Sequence, residues 1–233
     1  MMKRGGMSKR TYNMYCAIAK ALDVVGERWT LLIVHEVLSG PKRFKDFLDN
    51  LPGIGTNLLS KRLKELEQAD IIQHRKLPPP ASSEVYEITE HGQGLEEVVL
   101  GLGRWGTPLL GLPKKDELFR PVWALYAMKD RFVPENAVGI SKTYEFHIDD
   151  DILQARVEDQ QIFPTQGAAW KPDVIITMDS QTLLGIGTYQ LDPLDAHQQG
   201  RVRIQGDVAD FAEFFQLMVD AESGVERINV KGR

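Results

Sequence analysis

Leu51-Pro52-Gly53-Ile54-Gly55-Thr56-Asn57-Leu58-Leu59-Ser60-Lys61-Arg62-Leu63-Lys64-Glu65-Leu66 reads as a glycine-rich turn feeding a helix with two unlike faces. Leu59, Leu63 and Leu66 recur at i, i+4 and i+7, one stripe of a 3.6-residue period, and point to a core. The other face carries Asn57, Ser60, Lys61 and Lys64, donors of the kind that reach phosphates and base edges. Thr56 is read as the N-cap. A helix held by its leucines and offering short polar and basic side chains suits the major groove of double-stranded DNA.

Working outward, residues 15–25 form a short amphipathic helix and 27–38 a second, with Trp29, Leu32, Ile33 and Val37 on one face. Gly40-Pro41 stops the second, and a third helix follows over 43–51 around Phe44, Phe47 and Leu48. Two strand-like runs, 71–77 and 84–89, flank Pro78-Pro79-Pro80-Ala81-Ser82-Ser83, which no central ladder would accept, so this is the tip of a hairpin. One long helix is expected from 90 to about 110, with Leu95, Val98, Val99, Leu102, Trp105 and Leu109 at helical spacing. Helices, recognition helix and hairpin together make a winged helix-turn-helix.

Beyond Gly111-Leu112-Pro113-Lys114-Lys115-Asp116 the texture changes. Strands are expected at 143–148, 153–158, 174–178 and 201–205, and helices at 117–131, 180–187, 193–198 and 207–221 with Asp207 as a cap. The domains are therefore 1–110, a linker at 111–116, and 117–233, and the fold class is α+β. Trp123, Tyr126, Phe146, Phe163, Trp170, Tyr189 and Phe211 supply aromatic surface for a pocket in the second domain, although core packing accounts for each singly.

The net charge of −5 is unevenly spread. Residues 1–76 hold 14 Lys and Arg against 8 Asp and Glu, whereas 111–233 hold 13 against 20. That asymmetry places a nucleic-acid face on the first domain only and keeps polyanions from the second. No run of about 18 apolar residues occurs, so no membrane partner is expected. The basic start has no apolar segment behind it and is not read as a secretory signal; with one cysteine, Cys16, the expected compartment is the cytoplasm. Gly101-Leu102-Gly103-Arg104-Trp105-Gly106 matches G-x-G-x-x-G but sits in or at the end of a helix without a preceding strand, so it is not a dinucleotide site. His35-Glu36 lacks the second histidine of a zinc motif, and neither G-x-S-x-G nor a P-loop occurs. No enzymatic activity, cofactor or metal is expected.

Leu22-Asp23-Val24-Val25-Gly26-Glu27-Arg28-Trp29-Thr30, Gly40-Pro41-Lys42-Arg43-Phe44, Leu51-Pro52-Gly53-Ile54, Leu59-Ser60-Lys61-Arg62-Leu63-Lys64-Glu65-Leu66 and Tyr86-Glu87-Ile88-Thr89-Glu90-His91-Gly92, in that order after Cys16, closely resemble the HxlR family of bacterial transcription regulators over about 14–110. The resemblance implies a homodimer with the first and last helices of the domain at the interface, to which Leu95, Val98, Leu102 and Trp105 are assigned. Asp70 departs from it, standing where the family usually has a glycine at the end of the recognition helix. Pro172-Asp173-Val174-Ile175-Ile176-Thr177-Met178-Asp179, Leu191-Asp192-Pro193-Leu194-Asp195-Ala196 and Gly200-Arg201-Val202-Arg203-Ile204-Gln205-Gly206-Asp207 resemble the sterol carrier protein type-two-like fold. That likeness implies a small apolar ligand as a partner.

The expected DNA-binding set is Lys42 and Arg43 on phosphates, Thr56, Asn57, Ser60, Lys61 and Lys64 on the recognition helix, and His74, Arg75 and Lys76 climbing the wing. Arg62 either joins them or braces the fold through Glu65 or another acid. Cys16 is either a redox or electrophile sensor, as the resemblance implies, or a small apolar residue at a packed dimer interface; the packing reading is preferred. The rival overall reading is a carrier of lipids or other apolar ligands whose first domain only mediates dimerisation or protein contacts.

Overall fold

The computed structural model describes residues 11–78, 82–110 and 117–218. The fold is α+β, and the chain divides into two units, Met1–Gly103 and Arg104–Arg233, the division falling inside a helix. The segment expected as a linker, 111–116, and the hairpin tip at 79–81 lie outside the described residues.

The first unit runs α1 (Ala17–Val25), α2 (Thr30–Leu38), α3 (Phe44–Asn50) and α4 (Thr56–Gln68), then the antiparallel hairpin β1 (Ile72–Lys76) and β2 (Glu84–Ile88). Leu59, Leu63 and Leu66 are at most 1% exposed and pack with Ile33, Val34, Val37, Phe47, Leu51, Ile54, Ile71 and Ile72. The stripe that defined α4 is thus the centre of this core. On α2 the buried face is Ile33, Val34 and Val37, while Leu32 is exposed, a turn of the expected face. This helix is apolar nearly all round, so periodicity alone does not select the side that packs. Gly55, in extended conformation, is the N-cap of α4, and Thr56, expected there, is already the first helical residue. At the other end Asp70 adopts φ +57 and Ile71 N–H donates to the Leu66 carbonyl at 3.0 Å. The left-handed position that the glycine would occupy is kept, with an aspartate in it.

The long helix expected over 90–110 is broken into α5 (Glu90–Gln93) and α6 (Glu96–Gly106), followed by a 3-10 turn at Thr107–Leu109. Thr89 caps α5, its Oγ1 accepting from Gly92 N–H at 2.9 Å. Gly92 is wedged against the end of the hairpin: a Cβ there would lie 2.0 Å from the Ile71 carbonyl oxygen. The chain backbone touches backbone at this point, so only glycine fits, and the helix restarts beyond it.

In the second unit a 3-10 turn at Pro121–Trp123 leads into α7 (Ala124–Arg131), so the helix begins later than expected. Then follow β3 (Lys142–Ile148), β4 (Asp151–Glu158), β5 (Gln161–Gln166), β6 (Val174–Met178), α8 (Ser180–Gly187), α9 (Pro193–Gln198), β7 (Arg203–Gln205) and α10 (Val208–Gln216). The sheet order is β5-β4-β3-β6-β7, with β3 and β6 parallel and the other neighbours antiparallel. β5 was not foreseen, because Pro164 interrupts it; on an edge strand the missing N–H breaks no ladder. Tyr144, Phe146, Ile148, Leu153, Ala155, Val157, Val174 and Ile176 form one buried face, covered by Phe211, Phe214 and Leu217 of the C-terminal helical segment. Each of α8, α9 and α10 opens on an aspartate, Asp179, Asp192 and Asp207, whose carboxylate accepts a backbone N–H of the first turn. Phe146 and Phe211 belong to this core, whereas Phe163, Trp170 and Tyr189 are exposed and line no interior.

Candidate nucleic-acid interface

Thr56, Asn57, Ser60, Lys61 and Lys64 are all exposed along one side of α4, opposite its buried leucines. Gly55 offers no side chain to the first N–H groups of the helix, so this end is left open toward an anion. Lys61 is held only loosely, 3.8 Å from Glu65 one turn on.

Two residues assigned to DNA from the sequence stand elsewhere. Lys42 is 5% exposed. Its N–H donates to the Tyr86 carbonyl at 2.9 Å and its carbonyl accepts from Tyr86 N–H at 2.8 Å, an isolated bridge beside the hairpin. A buried lysine bridged in this way is not a free phosphate contact; the long-range backbone pairing that holds it is not revealed by sequence spacing. Arg62 is likewise buried, with Nη2 donating to Glu27 at 2.7 Å and Nη1 to Glu65 at 2.5 Å. Of the two readings left open for Arg62, the structure gives the brace. Arg43 is exposed at the start of α3, its backbone N–H held by Asp46 at 2.7 Å.

The wing is only partly free. Arg75 pairs with Glu87 at 2.7 Å, and the His74 ring lies on Tyr86, 4.8 Å between centroids, with Glu84 3.8 Å from its Nε2. Lys76 is exposed, with no ion-pair partner among the described residues. Acids facing Arg75, His74 and Lys76 across the hairpin weaken the basic wing that the sequence suggested. Burial, and then Glu67 and Glu84, raise the Tyr86 phenol above its ordinary pKa.

Val98, Leu102 and Trp105 are exposed on α6, while Leu95 is half-buried against the unit's own core. Tyr12, Met14, Tyr15, Ile18 and Leu22 are exposed on and before α1. Cys16 precedes α1 in extended conformation, exposed, its thiol making no cap. Sequence reasoning missed Glu27: it lay within a quoted block, but a pair 35 residues apart leaves no periodic signal. Among the described residues no cluster of His, Cys, Asp and Glu is placed to hold a metal, and no helix is long and apolar enough to cross a membrane.

Comparison with known proteins fits these two units. Residues 127–219 match the SCP-2 sterol transfer family, and residues 24–112 match the HxlR-like helix-turn-helix family. The HTH-type transcriptional regulator YodB of Bacillus subtilis (strain 168) is 39% identical over 85 residues, covering 36% of this chain and 76% of that protein. YybR, an HTH-type transcriptional regulator of the same organism, is 37% identical over 95 residues, covering 39% and 73%. Among solved structures, the reduced form of YodB shares 34% identity at a TM-score of 0.37, covering 43% of this chain and all of that one. The redox regulator HypR in its oxidised form shares 31% at 0.38, covering 40% and 96%. The chain belongs to the HxlR-like helix-turn-helix family of DNA-binding transcription regulators, with a segment of the SCP-2 sterol transfer family following the reader.

Proposed function

We propose that the chain binds a two-fold symmetric operator as a homodimer, with Asn57, Ser60 and Lys61 reading base edges and Thr56, Lys64, Arg43 and Lys76 on phosphates. The observation that carries this is α4 itself: its leucines are locked in the core while every one of its donors named here is exposed. The exposed apolar side chains of α1 and α6 are a face for the second copy, giving an isologous contact. In that arrangement the two recognition helices lie about 34–36 Å apart, one turn of DNA. Duplexes selected by the protein from random sequence test the reading. Asn57→Ala weakens binding to the selected duplex by about 1–3 kcal/mol and hardly changes binding to random DNA. Equal affinity of the wild type for selected and random duplexes at moderate salt would sink it, as would a monomer by light scattering at micromolar concentration.

A further inference from the structure

The buried side of α4 is gripped by a turn from a distant part of the chain. Gly26–Trp29 connects α1 to α2; Glu27 reaches α4 itself and Trp29 the turn that leads into it. Glu27 accepts from Arg62 at 2.7 Å, and Arg62, its side chain 7% exposed, is anchored on its other branch by Glu65. Trp29 holds φ +78, a conformation that bulky residues rarely adopt and keep only where packing imposes it. Its indole lies over Gly53, which at φ +93 turns the chain toward α4; a Cβ on Gly53 would sit 3.8 Å from the ring. Arg28 covers the same indole, 5.3 Å from its centroid.

We propose that the Gly26–Trp29 turn is a positioning clamp for base readout: Glu27 through Arg62, and Trp29 through Gly53, fix the rotation and tilt of α4. This rests on the reading that α4 enters the groove. Hydrogen bonds to base edges weaken steeply with misalignment, whereas a lysine near a phosphate tolerates it. Loosening the clamp therefore erodes sequence discrimination and leaves the phosphate-driven affinity in place. Electrostatics alone predicts the reverse for loss of the Glu27 charge, since removing a carboxylate from a DNA-facing domain tightens binding to any duplex.

The test compares a wild-type-selected duplex with a random one of equal length at one salt concentration. Glu27→Gln alters an exposed side chain and is expected to lower affinity for the selected duplex about tenfold, about 1.4 kcal/mol. Random-duplex affinity stays within about twofold. Arg62→Met lowers the same ratio, and the double variant is no worse than Arg62→Met alone, because both changes cut one link. Thermal melts verify that each variant is folded at the assay temperature, and a plain loss of stability leaves the ratio unmoved. The clamp is overturned if Glu27→Gln leaves the ratio unchanged, or if the two changes add. Asn57→Ala separates the failures. If it weakens selected binding while Glu27→Gln does not, the clamp alone falls; if neither does, the reading of α4 falls and takes the clamp with it.

Discussion

Cys16 is the one cysteine of the chain, and it stands exposed in extended backbone immediately before α1. The preferred sequence reading, a small apolar residue at a packed dimer interface, requires a partner copy to cover the thiol, which is exposed within one protomer. A thiol so placed meets oxidants, and its thiolate attacks hydrogen peroxide, forming the S–O bond of sulfenic acid as the O–O bond breaks and hydroxide leaves. We expect mild peroxide to change wild-type affinity for the selected duplex by about fivefold or more, the lower end of ordinary coupling. Cys16→Ser is expected to be indifferent to peroxide. A wild type equally indifferent would leave the cysteine a packing role alone. Lys42 was misplaced, and Arg62 left undecided, for one shared reason. Lys42 and Arg62 look like surface cations in sequence, and each is taken inside by a partner more than 30 positions away, Tyr86 or Glu27. Asn57, Ser60 and Lys61 were legible because their exposure follows from the local leucine period.

Elements were legible where periodicity was clean and obscure where tertiary contact decides. β6, α8 and α9 fall on their expected residues, α4 begins at the residue expected to cap it, and α10 begins after its expected cap. Neither the close packing of Gly92 on the Ile71 carbonyl, just before the break between α5 and α6, nor the place of β5 at a sheet edge leaves a periodic signal. α10 is tied to β3 by a polar cluster that no pattern announces. Lys142 Nζ donates to Asp210 at 2.6 Å and to Glu213 at 2.7 Å, and Tyr144 Oη donates to Glu213 at 2.9 Å. Hydrogen bonds to the two acids raise the Lys142 pKa, and burial, then Glu213, raises that of Tyr144. Both folded-state values lie above the unfolded ones, so their stabilisation is fully present below about pH 10 and is lost as pH rises through the raised values. The expected melting curve is therefore level across neutral pH and falls above about pH 10. Glu213→Gln lowers the neutral melting temperature and makes the alkaline fall shallower. An alkaline slope identical in Glu213→Gln and wild type would show that the cluster does not set it.

At the scale of the molecule, two families on one chain raise the question of what the second supplies to the first. Residues 1–76 hold 14 Lys and Arg against 8 acids, and 111–233 hold 13 against 20. Opposite balances suit a reader that holds DNA and a companion repelled by it, and we infer that any ligand of the second unit is not a polyanion. From the match of residues 127–219 to the SCP-2 sterol transfer family we propose an apolar molecule instead. Such a ligand affects transcription only if it binds one dimer geometry better than another, for equal affinity shifts nothing. Ordinary coupling is about 1–3 kcal/mol, a change in operator affinity of about 5–150-fold, and it is reciprocal, so operator DNA must alter ligand affinity by the same factor. A panel of fatty acids and sterol-like compounds, scored by thermal shift and then by affinity for the selected duplex, measures both directions. The expected result is a compound that raises the melting temperature and changes duplex affinity, with its own affinity changed equally when duplex is present. A compound that raises the melting temperature while duplex affinity stays constant would uncouple the two units, making the second a carrier that happens to travel with a DNA reader.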